Sequence, residues 1–387
     1  MTDQVVDLLV IGGGPAGLGA VRAYREEGGK GRVVVLSADP DSPYDRPPLT
    51  KDFLRGDKPE DELGLLEEGE LASLEVTWAH DRAVAVDTAA KRVDTRDGSG
   101  FTYTSLVFAT GSNPVDLPVP GGDESSLLRL RTLEDGRRLK QAVAGAKTVA
   151  VIGSGFIGCE AASSLRRLGL DVVLVTSDYA PQEARLGEDA AARIAGWLTG
   201  DGIRLVTDAT VTALESTGAG FTVRIEGKDD VSADQVLVAA GVRPATELAA
   251  AAGLELEDGR IVVDSHMRAS ADGVFAAGDV AYALNTTAAR HLSVEHWFDA
   301  EVMGKIAGRT AAGSQDAEWT DPPGFWSQIG DRWLKHAAWG DGYLEALFEE
   351  GDGEAFTVWY EDENGTCVGV LTHLADENYD KAFDLLS

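Results

Sequence analysis

Two short glycine clusters are the residues of this chain whose type and spacing most directly imply chemistry. Gly12, Gly14 and Gly17 follow the apolar run VVDLLVI with a G-x-G-x-x-G spacing, and Gly153, Gly155 and Gly158 repeat it after TVAVI. In such a set the first glycine permits a tight turn, the second lets a pyrophosphate approach bare backbone, and the third allows close packing of the following helix. The N–H groups opening that helix then face the phosphates. One set alone could be an ordinary strand-to-helix turn; two in the right context imply two dinucleotide sites.

Other groups carry less by themselves. Asp279, in VFAAGDV, falls at an expected helix start, where its carboxylate could take a sugar hydroxyl or simply cap the helix. In SPYDRPPLTK, prolines 43, 47 and 48 restrict the backbone and lower the entropy lost on ordering the segment. Local sequence alone reads TKDFLRG as a helix capped by Thr50, with Lys51 exposed at its start. Cys159 and Cys367 stand singly, so neither a disulfide framework nor a CxxC pair is expected. Cys159 reads as a small buried helix residue. His80, His266, His291, His336 and His373 are scattered without ligand spacing, and no metal site is expected.

The elements that must position these groups can be read from pattern. Each glycine cluster lies in a strand–turn–helix–strand unit, the first running to RVVVLS at Arg32–Ser37 and the second spanning Thr148 to Val175. Short strands with turn signals fill Arg82–Asp87 and Arg92–Gly111, and the proline-rich NPVDLPVPGG marks a boundary. After the strand QVLVAAGVRP the chain is expected to return to the first unit, with Val274–Val280 completing its sheet. Beyond Trp319 the text becomes tryptophan-rich and alternating, which predicts a small antiparallel sheet with a terminal helix. Trp326, Trp333 and Trp339 are expected in the core of that sheet, with a substrate or docking face as the alternative.

At 387 residues, two or three domains are expected. With 65 acidic against 34 basic residues, the net charge of −31 argues against nucleic acid or an anionic membrane as partner. The N-terminus has no basic region before its apolar run, and glycines cut that run short, so neither a signal peptide nor a membrane span is expected. A reducing cytoplasm fits the two lone cysteines.

Taken together, GGGPAG, PYDRPPLTK, FATGSNP, LRT, VIGSGFIGCE, GVRPATELA, GRIVVD, VFAAGDVA and VEHWFDA occur in order from the first strand to about residue 310. In these motifs the chain resembles the FAD-dependent NAD(P)H:ferredoxin reductases of the putidaredoxin reductase, biphenyl dioxygenase reductase and apoptosis-inducing factor-like type. FWSQ at Phe325–Gln328 matches the family's FWSDQ segment less closely.

The resemblance implies an α/β, glutathione reductase-like fold: two Rossmann-type dinucleotide-binding domains and a small C-terminal α+β domain. Residues 1–115 and 244–318 would form the FAD domain, 116–243 the NAD(P)H domain and 319–387 the C-terminal domain. It further implies that Gly12, Gly14, Pro15, Ala16, Gly17, Asp39, Arg46, Lys51, Val84, Ala109, Thr110, Gly111, Arg131, Asp279, Glu295, His296 and Trp297 meet FAD. Gly153, Gly155, Phe156, Ile157, Gly158, Glu160, Thr176 and Gly241 would face NADH or NADPH. Lys51 paired with Glu160 would be the catalytic pair near flavin N5.

Two departures from the family pattern stand out. The acid expected for the adenosine ribose of FAD falls at Ala38, with Asp39 adjacent. The NAD-selecting acid is replaced by Thr176, which leaves NADH against NADPH open.

Disulfide and peroxide reductases of this fold carry cysteine where this chain has SPYDRPPLT, so electrons are expected to leave the flavin directly. The activity the resemblance implies is hydride transfer from NAD(P)H to FAD and single-electron transfer to a ferredoxin-type [2Fe–2S] protein, feeding an oxygenase. The alternatives are an apoptosis-inducing factor-like redox sensor, or a reductase of a small quinone, nitro compound or ferric chelate. Monomer and homodimer both remain open. Candidate docking cations are Lys305 with Arg309, and Arg332 with Lys335 and His336.

Overall fold

A computed structural model describes residues 3–218, 220–340 and 342–386. The strand Asp3–Ile11 is apolar because it is covered on both faces: Val6, Leu8, Leu9 and Val10 have no exposed surface. Burial on both sides needs a continuous apolar run rather than alternation, as in a parallel sheet flanked by helices. This strand pairs in parallel with Val33–Ser37 on one side and Gly100–Phe108 on the other, and Val76–His80 extends the sheet beyond Val33–Ser37.

Gly100–Phe108 is shared along its length. Its first residues pair antiparallel with Arg92–Thr95, which forms a hairpin with Ala83–Asp87, and its last residues pair in parallel with Val274–Ala276. The chain thus returns to its first sheet. The returning strand is shorter than the predicted Val274–Val280, because Gly278–Val280 turns into a 3-10 helix.

The second unit has a parallel sheet in the order Arg204–Val206, Asp171–Val175, Thr148–Ile152, Gln235–Val238. An antiparallel sheet of Val211–Thr217, Gly220–Ile225 and Val231–Ala233 shares its core. The two passages between the units, Ser112–Pro114 and Val242–Pro244, lie side by side as an antiparallel pair.

The last unit is a five-stranded antiparallel sheet ordered Gly324–Ile329, Arg332–Ala338, Cys367–His373, Phe356–Glu361, Glu345–Glu350, covered by the helix Asp376–Leu386. Two of its tryptophans correct the expectation of a tryptophan core, while Trp339 is partly buried and packs against the core. Trp326 and Trp333 are each 44% exposed, while the interior is built from Leu334, Phe356, Val358, Tyr360 and Leu371.

The first glycine helix, Pro15–Glu26, packs against Trp297–Ala311. Glycine is required along this contact: a Cβ at Gly304 would lie 2.1 Å from the Ala16 oxygen, and one at Gly308 would lie 2.0 Å from that of Ala20. The close approach sets the head of the second helix, with Trp297, beside the head of the first.

Candidate active site

Two clefts meet at the centre of the molecule. The first, about 670 Å³, is lined by Gly12, Gly14, Pro15, Ala16, Asp39, Arg46, Lys51, Ala109, Thr110, Gly111, Arg131, Asp279, Glu295, His296 and Trp297. Gly12 has φ 115°, and a Cβ there would lie 2.0 Å from the Ala109 oxygen, so only glycine lets the two strand ends converge. Gly14 is the N-cap of the first glycine helix and has no side chain to occupy the opening N–H groups. Gly17 is not on the wall; it lets the helix seat against Gly12.

Val84 is a correction. It is 50% exposed and off the wall, whereas Ala83, one residue earlier, lines the cleft, because successive side chains of a strand face opposite sides.

Asp279 does not cap a helix. Its Oδ2 accepts hydrogen bonds from Ser112 Oγ at 2.5 Å and Arg131 Nη2 at 2.7 Å. Arg131 is held there because the next residue, Thr132, forms a capping box with Asp135 at the start of the helix Leu133–Val143. Asp39 accepts from the Tyr44 hydroxyl at 2.8 Å, and burial pushes the Tyr44 phenol up to about 12. Burial likewise lowers the Arg46 guanidinium, whose Nε has no partner; Trp297 Nε1 is also buried and unpartnered. Unsatisfied buried donors and an uncapped helix start suit a polyanionic dinucleotide.

The second cleft, about 1450 Å³, is lined by Gly153, Gly155, Phe156, Ile157, Thr176 and Gly241 among others, while Gly158 packs its helix against Gly153. Thr176 is buried, and its hydroxyl is turned inward: it bonds Ser154 Oγ at 2.8 Å and accepts from the Asp178 N–H at 3.2 Å. The wall beyond it is formed by Ser177, Asp178, Ala209, Thr210 and Val211, which supply one carboxylate and no cation.

Leu130, Arg131, Phe156, Ile157, Asp279, Glu295, His296 and Phe325 line both clefts and so mark the junction. Phe156 and Phe325 stand with ring centroids 4.3 Å apart, and Phe325 stacks on His336 at 4.6 Å. Glu295 is held by Arg260 at 2.5 Å, and His296 Nδ1 lies 3.2 Å from Asp299 Oδ2.

Lys51 and Glu160 form a buried ion pair on the first cleft, with Nζ–Oε2 at 2.5 Å. Sequence reasoning missed the rest of this cluster. Thr50 caps nothing; it ends the 3-10 turn Pro47–Thr50 and donates to Glu160 Oε2 at 2.6 Å. The other carboxylate oxygen accepts from Ser327 Oγ at 2.7 Å and the Gln328 N–H at 3.1 Å. Lys51 also donates to the Pro47 carbonyl at 3.0 Å, so the proline run fixes an acceptor for the ammonium. No motif spacing could have linked Ser327 to Glu160, since they lie in different units of the fold.

The chain is similar to known proteins in sequence and in fold. Residues 6–304 match the family model described as pyridine nucleotide-disulphide oxidoreductase. The chain belongs to that family. Among relatives, it is 31% identical to a rubredoxin-NAD(+) reductase of Pseudomonas putida over 326 residues, covering 83% of this chain and 84% of the other. It is 32% identical to the ferredoxin–NAD(+) reductase component of the biphenyl dioxygenase system of Paraburkholderia xenovorans, covering 83% and 78%. Among solved structures, the covalent putidaredoxin reductase–putidaredoxin complex superposes with a TM-score of 0.91 at 25% identity, covering 98% and 93%.

For a member of a family named for disulphides, the cysteines are placed unusually. Cys159 is fully buried with its thiol bonded to the Ser154 oxygen, burial pushes its titration far up, and Cys367 lies in the last sheet. Neither lines a cleft.

Proposed function

We propose that this protein takes electrons from NADH and passes them one at a time to an iron–sulfur protein of the ferredoxin class. FAD would occupy the first cleft and NADH the second. The observation that carries the reading is the buried Lys51–Glu160 pair on the wall of the first cleft, with Glu160 on the same helix as Phe156 and Ile157, which line both clefts, and with no cysteine on either wall. When bound, the flavin supplies the conversion of a two-electron hydride into single electrons. The chain's own part is to bind, orient and set the local charge.

Gly12, Gly14 and the N–H groups after Gly14 would hold the flavin pyrophosphate, with the Asp279–Ser112–Arg131 cluster and Asp39 available to sugar hydroxyls. The ammonium of Lys51 places a positive charge in a site shielded from water, and Glu160 fixes its direction. Overall, one NADH reduces two one-electron carriers and releases one proton.

On the nucleotide side, the ribose of adenosine is expected at the end of the second strand of such a unit. Thr176 occupies that position but spends its hydroxyl inward, so Ser177 and Asp178 are what the ribose would meet. A carboxylate at that position favours a 2′-hydroxyl over a 2′-phosphate, which supports NADH. The two unpaired cysteines suit a reducing cytoplasm.

Anaerobic stopped-flow reduction by NADH, followed by mixing with ferredoxin, rubredoxin, quinone and ferric chelate, tests the reading. Fast reoxidation by an iron–sulfur protein is expected. Reoxidation by small molecules alone would refute it.

A further inference from the structure

The exposed aromatics of the last unit gather at the mouth of the first cleft. Trp326 lines that cleft, and Lys51 Nζ lies 5.4 Å from its ring centroid. Trp333, on the neighbouring strand, stands 5.6 Å from Trp326, and Phe298, 54% exposed, lines the same cleft from the head of the helix Trp297–Ala311. Large exposed aromatic area beside a site commonly marks a surface that another molecule covers.

The cations expected to serve docking around this mouth are held by acids, although Arg82, exposed on the cleft wall, is in no ion pair among the described residues. Arg332 pairs with Asp201 at 2.8 Å, Lys335 with Asp376 at 2.7 Å, Arg167 with Asp331 at 2.5 Å and Arg55 with Asp57 at 2.7 Å. On the Phe298 helix, Lys305 pairs with Glu301 at 2.9 Å and Arg309 with Glu27 at 2.8 Å. His336 is buried and neutral. The terminal helix adds Asp376, Glu377, Asp380 and Asp384 against Lys381 alone. The expected basic docking patches are therefore not there as free charge.

We propose that Trp326, Trp333 and Phe298 form an apolar docking surface for an iron–sulfur carrier whose contact face is apolar and poor in carboxylates. This rests on the electron-transfer reading above and specifies the partner's chemistry. A chain of net charge −31 whose expected docking cations Lys305, Arg309, Arg332 and Lys335 are engaged by acids repels an acidic face both at long range and at contact. Apolar burial is little weakened by salt, whereas charge steering is screened beyond about 10 Å at ~0.1 M. Trp326 also spans from the cleft wall to the surface, which shortens the path for a departing electron.

The test uses the flavin-loaded protein with NADH and two probes: an acidic [2Fe–2S] ferredoxin, and the same ferredoxin with its contact carboxylates changed to amides. Ferricyanide serves as a small acceptor. Between about 10 and 500 mM salt, kcat/KM for the acidic probe is expected to rise several-fold, and that for the neutralised probe to be higher at low salt and nearly flat. Trp333→Ala, at a position outside both clefts, is expected to raise KM for either ferredoxin about tenfold while ferricyanide turnover stays within about twofold.

A rate that falls steadily with salt, or ferredoxin kinetics indifferent to Trp333→Ala, overturns the docking surface and leaves the electron-transfer reading standing. If ferricyanide is reduced and neither ferredoxin is at any salt, both fail.

Discussion

Glu160 accepts four hydrogen bonds from two separate stretches of chain, Thr50–Lys51 and Ser327–Gln328, so both of its oxygens are occupied and Lys51 is held in one direction. Removing the ammonium takes a fixed positive charge from the wall of the first cleft and leaves the glycine turn and the Asp279 cluster in place. Lys51→Ala is accordingly expected to keep its flavin and to slow reduction by NADH by about a hundredfold, read as flavin bleaching in stopped flow; unchanged kinetics would make the pair merely structural. At the other end of the second cleft, Asp178→Asn removes the carboxylate that a 2′-phosphate would meet. The ratio of kcat/KM for NADPH to that for NADH is expected to rise about tenfold, the size of a single unscreened charge contact. Local sequence predicted an exposed Lys51 and a capping Thr50, and only the family resemblance supplied Glu160. The partners are 109 and 110 residues apart, a separation that no periodicity or cap rule spans.

The glycine helices and the sheets under them were legible because their signals are local: an apolar run, a glycine turn and a helix with the third glycine facing its strand. The packing of Pro15–Glu26 on Trp297–Ala311 was not, since Gly304 and Gly308 act on a helix almost three hundred residues away. Gly308→Val would drive methyl groups into the Ala20 carbonyl, and an overpacking cost of about 1–3 kcal/mol is expected as a lower thermal midpoint with reduced flavin content. In the last sheet, His336 stacks on Phe325, and burial, reinforced by the charges of His296 and Arg185, pushes its imidazole down to about 3 from the usual 6.5. Between those values the unfolded chain takes up a proton that the folded sheet refuses, so this residue lowers stability as pH falls from 6.5 towards 3 and has no such effect above it. Thermal midpoints across that range are expected to fall less steeply for His336→Phe than for the parent; equal slopes would show that the imidazole is not the group responsible.

At the scale of the whole molecule, composition alone pointed away from nucleic acid and membranes, and among the described residues no helix is long and apolar enough to cross a bilayer. What composition could not show is that Lys305, Arg309, Arg332 and Lys335 are each claimed by a neighbouring acid, or that Trp326 and Trp333 face outward. Alternation places residues on one face or the other without saying which face is covered. The two side-by-side passages between the units, Ser112–Pro114 and Val242–Pro244, have a mechanical consequence. A unit hung from two adjacent strands can turn about one short axis, like a door on a single hinge, and the Glu160 cluster is the catch that ties it to Thr50–Lys51 and Ser327–Gln328. A swing that widened the second cleft would have to unfasten four hydrogen bonds at once, so the same carboxylate that aims Lys51 also keeps the door shut.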